Sequence, residues 1–495
     1  MSSASAPAAS EHNVHKSSVK AKKAASVALV SLGCPKNVVD AEVMLGTLQS
    51  QGYTVENDAR MADVVIVNTC AFVEDAKRES INAILEAANL KGTTGLKALF
   101  VTGCLSQRYG VDIIHDLPEV DRVIGFENYA DIPSHIDQVL ASGGEESGPS
   151  GVHVGSPTVP FRAEEAGAVR FNLSSPHTAY LRVAEGCDQA CSFCAIPGFR
   201  GSFRSKPFDD VLREAESLVR LGAKELCLIA EDTNQWGIDF GESDPRRLGD
   251  LLRALDGISG LRWIRLLYCY PSYFTEDLMR AIAEVPKVVK YIDMPLQHAS
   301  SNVLQAMRRP GATSTGELLA RLRGLHPDIV LRTTFIAGFP GESEGDFQEL
   351  CDFVTRWGFE RGGAFAYSAE DRTDASQLPM QLPERVRQGR RASVEKLFLS
   401  NHADWADSQV GKTLSVMLDS WIDPASHPAD EDNPHPFDVP YAVGRTEFDA
   451  PDIDGRVLIP HCLVPLSPGT ILQCKIEHTD ISGHDLVASV LGEIS

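Results

Sequence analysis

No apolar run in this 495-residue chain reaches the roughly 18 residues a membrane-spanning helix needs, and no stretch is framed as a secretory signal. Membrane partners and export are therefore not expected, and the chain reads as cytoplasmic. Basic charge is scarce too: 46 Lys and Arg stand against 68 Asp and Glu, a net charge of −22. Proteins that grip phosphates carry basic surface, so direct nucleic-acid binding is not expected and a basic protein is the better-matched partner. Without export signals, the 11 cysteines belong to a reducing compartment, where thiols serve metals or redox chemistry more than disulfides.

The length exceeds one core and predicts about three domains of overall α/β class. Residues 1–25, rich in Ala and Ser with Lys16, Lys20, Lys22 and Lys23, read as a disordered tail. Over 26–140 short apolar strands alternate with helical patterns, an α/β sheet domain. A Gly/Ser/Pro-rich linker or loop follows at 141–165. Between 166 and 410 six strand patterns alternate with helices, from "YLRVAEGC" to "GGAFAYS". That beat predicts a parallel βα barrel or partial barrel with its chemistry at the carboxyl ends of the strands. Residues 411–495 are strand- and turn-rich and predict a small β-barrel.

A fourth cysteine is missing where one is wanted. "EGCDQACSFCAIP" holds Cys187, Cys191 and Cys194 as C-x3-C-x2-C at the end of the first barrel strand. A structural zinc site needs four ligands, which His177 or a distant cysteine would have to complete. Three cysteines can instead hold three irons of a 4Fe–4S cluster and leave the fourth open for a cofactor. C-x3-C-x2-C with Phe193 before its last cysteine resembles the radical S-adenosylmethionine enzymes. The resemblance implies that S-adenosylmethionine chelates the open iron and is cleaved to a 5′-deoxyadenosyl radical. It implies Phe193 beside the adenine, and Glu231, Arg332 and Gly338, at the second and fifth strand ends, as further cofactor-binding candidates. No catalytic residue is expected beyond the cluster ligands. Phe193, Glu231, Arg332 and Gly338 each also fit a structural role.

Cys34, Cys70 and Cys104 are far apart, but "VALVSLGC", "DVVIVNTC" and "ALFVTGC" each put cysteine just past an apolar strand. Parallel neighbours would bring all three thiols to one carboxyl edge, where α/β sheets bind ligands. A second three-ligand 4Fe–4S cluster is expected there. The remaining five, Cys227, Cys269, Cys351, Cys462 and Cys474, read as packing residues.

"SLGCPKNVVDAE", "EGCDQACSFCAIPGFRGSFRSKP" and a C-terminal module like the TRAM β-barrel together resemble the methylthiotransferases. That family implies two 4Fe–4S clusters, with S-adenosylmethionine as both methyl donor and radical source, and an external electron donor. Where relatives commonly read "S-x-E-E-G-T" this chain has "SAEDRTDA", with Asp371 and Arg372. One branch modifies an adenosine of transfer RNA; the other modifies the β-carbon of an aspartate in ribosomal protein S-12. "SLGCPKN" and "DMPLQHAS" match the second, making His298 a branch marker with an alternative role in strand-end hydrogen bonding. From Gly411 onward 4 basic residues face 14 acidic ones, a field that suits a basic protein better than phosphate. Asp430, Glu431, Asp432, Asp449, Asp452 and Asp454 are expected on that acidic surface. An iron–sulfur electron carrier is the reading from a different class; it would need fully ligated clusters and no barrel.

Overall fold

The computed structural model describes residues 25–142, 151–156, 170–173, 175–426, 435–480 and 483–493. The N-terminal tail, most of the 141–165 segment, and Asp430, Glu431 and Asp432 lie outside them. Among the described residues no helix is long and apolar enough to cross a membrane.

The first unit runs β1 (Ser26–Ser31), α1 (Pro35–Ser50), β2 (Thr54–Val55), β3 (Val64–Thr69), α2 (Glu74–Leu90), β4 (Ala98–Gly103), α3 (Cys104–Asp116), β5 (Arg122–Ile124), α4 (Ile132–Ser142) and β6 (Val152–His153). Its strands form one parallel sheet in the order β2-β1-β3-β4-β5-β6. β3 and β4 are buried at every position, as central parallel strands covered on both faces must be. This explains why "VVIVNT" and "ALFVTG" show no polar alternation.

The central unit comprises β7 (Thr178–Arg182), β8 (Ala184–Glu185), α5 (Ile196–Arg200), β9 (Arg204–Ser205), α6 (Phe208–Arg220), β10 (Glu225–Ile229), α7 (Leu248–Asp256), β11 (Trp263–Leu266), α8 (Glu276–Glu284), β12 (Val288–Asp293), α9 (Ser301–Met307), α10 (Ala312–Arg323), β13 (Val330–Ala337), α11 (Glu344–Trp357), β14 (Arg361–Ala366) and the long α12 (Glu384–Gln409). Six strands pair in parallel as β14-β13-β12-β11-β10-β7 and do not close, a partial barrel. Alternate residues serve opposite faces. Leu181, Leu226, Leu228, Ile264, Ile292 and Leu331 pack among the surrounding helices. Tyr180, Cys227, Ile229, Trp263, Val289 and Tyr291 face the other way.

That second face is covered from two sides. α1 brings Val38, Val39 and Val43, and the C-terminal unit brings Met417, Phe448, Ala450 and Ile471. The C-terminal unit is a closed barrel, β15-β16-β17-β19-β18, formed by β15 (Thr413–Ile422), β16 (Tyr441–Thr446), β17 (Val457–Pro460), β18 (Ile471–Thr479) and β19 (Leu486–Glu493). The contact is charged as well as apolar. Glu225, fully buried, accepts from Arg265 Nε at 2.8 Å and from Arg445 of the barrel. Arg445 also donates to Thr178 Oγ1 at 2.6 Å, and His177 Nε2 lies 2.7 Å from Asp419.

Two of the acidic residues expected at the surface are therefore interior. Asp449 is 2% exposed and accepts from Arg361 at 2.5 Å, while Asp454 accepts from the Tyr291 hydroxyl at 2.7 Å. Of that set only Asp452 is both described and exposed. Part of the negative count thus neutralises arginines of the central sheet and offers nothing to a partner. Among the five cysteines read as packing, Cys227, Cys269 and Cys474 are buried, and Cys351 and Cys462 are half-buried.

Candidate active site

Three of the six trio cysteines follow a glycine with left-handed backbone: Gly33 (φ +93°), Gly103 (φ +92°) and Gly186 (φ +77°). A side chain at Gly103 would strike Thr69 O, at 2.3 Å from its Cβ, and one at Gly186 would strike Ser202 O at 2.2 Å. Only glycine makes these turns without strain and lets the cysteine loops pass so close to neighbouring backbone.

In the N-terminal sheet, β1, β3 and β4 are adjacent and parallel, so Cys34, Cys70 and Cys104 leave the same edge. Cys34 is the N-cap of α1 and Cys104 the first residue of α3, positions where the helix dipole favours a thiolate ligand. Cys104 lies in electrostatic reach of Cys34 and Cys70; burial pushes its thiol up to about 12 and raises that of Cys70. The Ser80 hydroxyl accepts the Cys70 N–H and donates to the Cys70 carbonyl, both at 2.9 Å. Asn37 Nδ2 donates to Leu32 O and Thr69 O at 2.9 Å each, tying the Cys34 loop to the end of β3.

Cys187, Cys191 and Cys194 line a cleft of about 420 Å3 with Asp188, Gln189 and Arg308. Burial lifts the Cys187 and Cys194 thiols to about 12. The loop is held by Ser192, whose Oγ donates to Ala306 O at 2.7 Å, and by the Ala375 N–H donating to Ser192 O at 2.8 Å. Arg309 donates to Cys191 Sγ at 3.8 Å and stacks 4.1 Å above the Tyr270 ring. No group of three or more His, Cys, Asp or Glu among the described residues is set to hold a single metal ion. His177, one of the two kinds of fourth ligand a zinc site could have used, is committed to Asp419. Three thiols around an open cleft, with no fourth, fit a cluster of several irons better than one zinc.

The candidate cofactor residues divide. Glu231 accepts the Gly186 N–H at 3.0 Å, next to Cys187; burial raises its pKa against the pull of Lys36 and Arg200. Phe193 packs with Val303, Met307, Phe339, Tyr367 and Ala375 beside the barrel cysteines. Arg332 lies on the face covered by the C-terminal barrel, donating to Asp293 at 2.8 Å and 3.8 Å from Asp454. Gly338 (φ +80°) has its N–H taken by Glu342 at 2.7 Å, and a side chain there would meet the Arg387 backbone. Gly338 is thus held by Glu342, whereas Arg332 keeps a buried Nε with no hydrogen-bond partner among the described residues. His298 is 1% exposed; its Nδ1 accepts the Ser300 N–H at 3.0 Å and its Nε2 is 3.4 Å from Glu342, a loop-fixing role.

Other side chains at the site carry no local sequence signal. Asp232, next to Glu231, is raised to about 7 by burial; one oxygen accepts from Gln189 at 3.0 Å and the other has no hydrogen-bond partner among the described residues. Lys36 Nζ lies 3.5 Å over the Tyr268 ring. Arg200, just beyond the barrel cysteines, reaches the N-terminal trio. The divergent loop also joins the two units: Glu370 pairs with Lys77 at 3.1 Å and Arg108 at 3.3 Å, while Arg372 and Thr373 line the cysteine cleft.

The chain matches an uncharacterized protein family, UPF0004, over residues 26–125, the Radical SAM superfamily over 181–354, and the TRAM domain over 410–491. A ribosomal protein uS12 methylthiotransferase RimO of Desulforamulus reducens is 40% identical over 91% of this chain and 96% of its own length. The protein of the same name from Pelotomaculum thermopropionicum is 42% identical over 87% and 92%. A solved radical S-adenosylmethionine methyltransferase, TsrM, from Kitasatospora setae shares the fold, with TM-score 0.50 at 15% identity over 82% of this chain and 79% of that one. With two cysteine trios at the ends of parallel strands and identity of this extent along nearly its whole length, the chain belongs to the RimO family of radical S-adenosylmethionine methylthiotransferases.

Proposed function

We propose that this chain methylthiolates the β-carbon of an aspartate in ribosomal protein uS12. Cys187, Cys191 and Cys194 would hold the 4Fe–4S cluster that binds S-adenosylmethionine, and Cys34, Cys70 and Cys104 the cluster that carries the sulfur to be transferred. When bound, these groups supply the methyl group, the radical that removes a hydrogen from an unactivated carbon, and the sulfur. The protein supplies position and electrostatics. The observation that carries the reading is that Cys34, Cys70 and Cys104 leave one edge of the N-terminal sheet, Cys187, Cys191 and Cys194 line the cleft, and Arg200, just beyond the second trio, lies 3.7 Å from Cys104 Sγ of the first.

The chain's own residues hold these parts in place. Ser192, Gln189 and Arg309 fix the barrel loop. Asn37 and Ser80 fix the N-terminal loops. Lys77 and Arg108, through Glu370, keep the divergent loop against the N-terminal domain. The uS12 substrate is supported by the names of the curated relatives and by "DMPLQHAS", whose His298 shapes the loop after β12.

The test supplies reductant and S-adenosylmethionine to protein reconstituted without oxygen, with uS12 in one arm and transfer RNA in the other, and reads both by mass spectrometry. A methylthio group on the uS12 aspartate is expected. Transfer to the RNA alone would reverse the substrate assignment. Iron should be about eight per chain, two four-iron clusters; a content near four would remove the second cluster.

A further inference from the structure

We propose that Arg200 is a positioning residue for the cluster assigned to Cys34, Cys70 and Cys104, hydrogen-bonding the Cys104 sulfur and raising that cluster's reduction potential. The inference rests on the two-cluster reading above and extends it to a residue outside both trios. Arg200 ends the short α5, directly after the barrel cysteines, yet its side chain is buried against the N-terminal domain. Nη2 lies 3.7 Å from Cys104 Sγ, 3.2 Å from Asn37 Oδ1 and 3.0 Å from Asp40 Oδ2. Nη1 donates to Glu185 Oε1 at 2.8 Å, two residues before Cys187, and the guanidinium stands 3.9 Å over the Phe126 ring. One planar cation thus touches a sulfur of one trio and the strand that leads into the other.

Hydrogen bonds to cluster sulfurs and the charge around them are what set iron–sulfur potentials. Reduction adds one electron and, with no acid at the sulfur, no proton. A cation held 3.7 Å from a ligand sulfur, away from water, favours the more negative, reduced form. Asp40 works against it, drawing the guanidinium's charge away from the sulfur. Asp40 has a second partner, Arg182 at 2.5 Å, so neutralising either side of the Arg200–Asp40 pair leaves a partly matched network. Arg309 stands in the same relation to Cys191 of the barrel trio, so each proposed cluster has one arginine on a ligand sulfur.

The experiment is a potentiometric titration of full-length protein followed by electron paramagnetic resonance. It is done in a C187A/C191A/C194A background, so that only the N-terminal cluster contributes. R200Q should move the midpoint to more negative potential. R200K, which keeps the charge but loses the planar fork, should move it less. D40N should move it the other way. An unchanged midpoint in R200Q and R200K with iron retained would overturn the proposal, as would a negative shift in D40N. If R200Q fails to hold iron, the sign of the D40N shift decides: positive supports, zero or negative overturns. A background protein that binds no iron at all would refute the two-cluster reading instead, a separate outcome.

Discussion

Gly33→Ala isolates the cost of crowding one cysteine. At φ +93° the alanine backbone is strained, and its Cβ would stand 2.8 Å from Cys70 Cβ and 3.0 Å from Cys70 Sγ. Gly52 provides the matched control: its φ is +92°, but nothing lies within 4 Å of an added Cβ. The left-handed backbone costs about 1–2 kcal/mol in either variant. Pressing a methyl group into packed neighbours adds about 1–3 kcal/mol, so Gly33→Ala should lose about 2–5 kcal/mol and Gly52→Ala only the first part. The collision is with a proposed ligand, so the two should also differ in iron. After anaerobic reconstitution Gly52→Ala should retain about eight irons and Gly33→Ala about four, the barrel cluster alone. Denaturant unfolding of the apo-proteins and an iron assay measure both quantities. Equal stability of the two variants, with eight irons in each, would refute the reasoning: the Gly33 loop would then relax away without disturbing Cys70.

Cys70→Ala should still release 5′-deoxyadenosine from S-adenosylmethionine but transfer no methylthio group to uS12; loss of both with the barrel cluster intact would contradict the division of labour between the trios. Glu225→Gln leaves Arg265 buried without its counter-charge and Arg445 with only the half-buried Asp419 at 3.2 Å, and should destabilise by about 3–5 kcal/mol in chemical denaturation. Asp346, at the start of α11, is pushed up by burial, but hydrogen bonds from Ser300 and Ser343 outweigh this and hold it at about 2, below its ordinary 3.8. A depressed carboxyl stabilises the fold above its ordinary value and stops doing so as the pH falls through its folded one. The stability gap between wild type and Asp346→Asn should therefore be full above pH about 4 and close toward pH 2.

Much of the architecture was readable because the relevant physics is local. An apolar run closed by a small or polar residue or two and then cysteine reads as a strand delivering a thiol to the sheet edge, and Cys34, Cys70 and Cys104 follow that pattern. What stayed hidden depends on distant partners. Nothing near Arg200 in "GFRGSF" announces Cys104, 96 residues earlier. The sign of a charge does not say whether it meets water or an arginine, so Asp449 and Asp454 looked like surface and are interior. Nearness to a strand end makes Arg332 a cofactor candidate in the sequence. Strand alternation, which sets it on the face opposite Leu331, pointed toward the C-terminal barrel instead.

The seam between β10 and β16 makes the C-terminal barrel a poor cassette for domain exchange. A homologous barrel grafted onto this catalytic unit would have to bring its own carboxylate for Arg361, or strand it in the low-dielectric joint, and its own second cation for Glu225, which would otherwise be left with Arg265 alone. Inheritance of the module is thereby linked to three positions in the other domain, Glu225, Arg265 and Arg361. Adaptation toward a new partner is then left to parts of the barrel outside the joint, such as the exposed Leu463 and Val464 after β17. Transplanting those side chains alone leaves the ion pairs of the joint untouched.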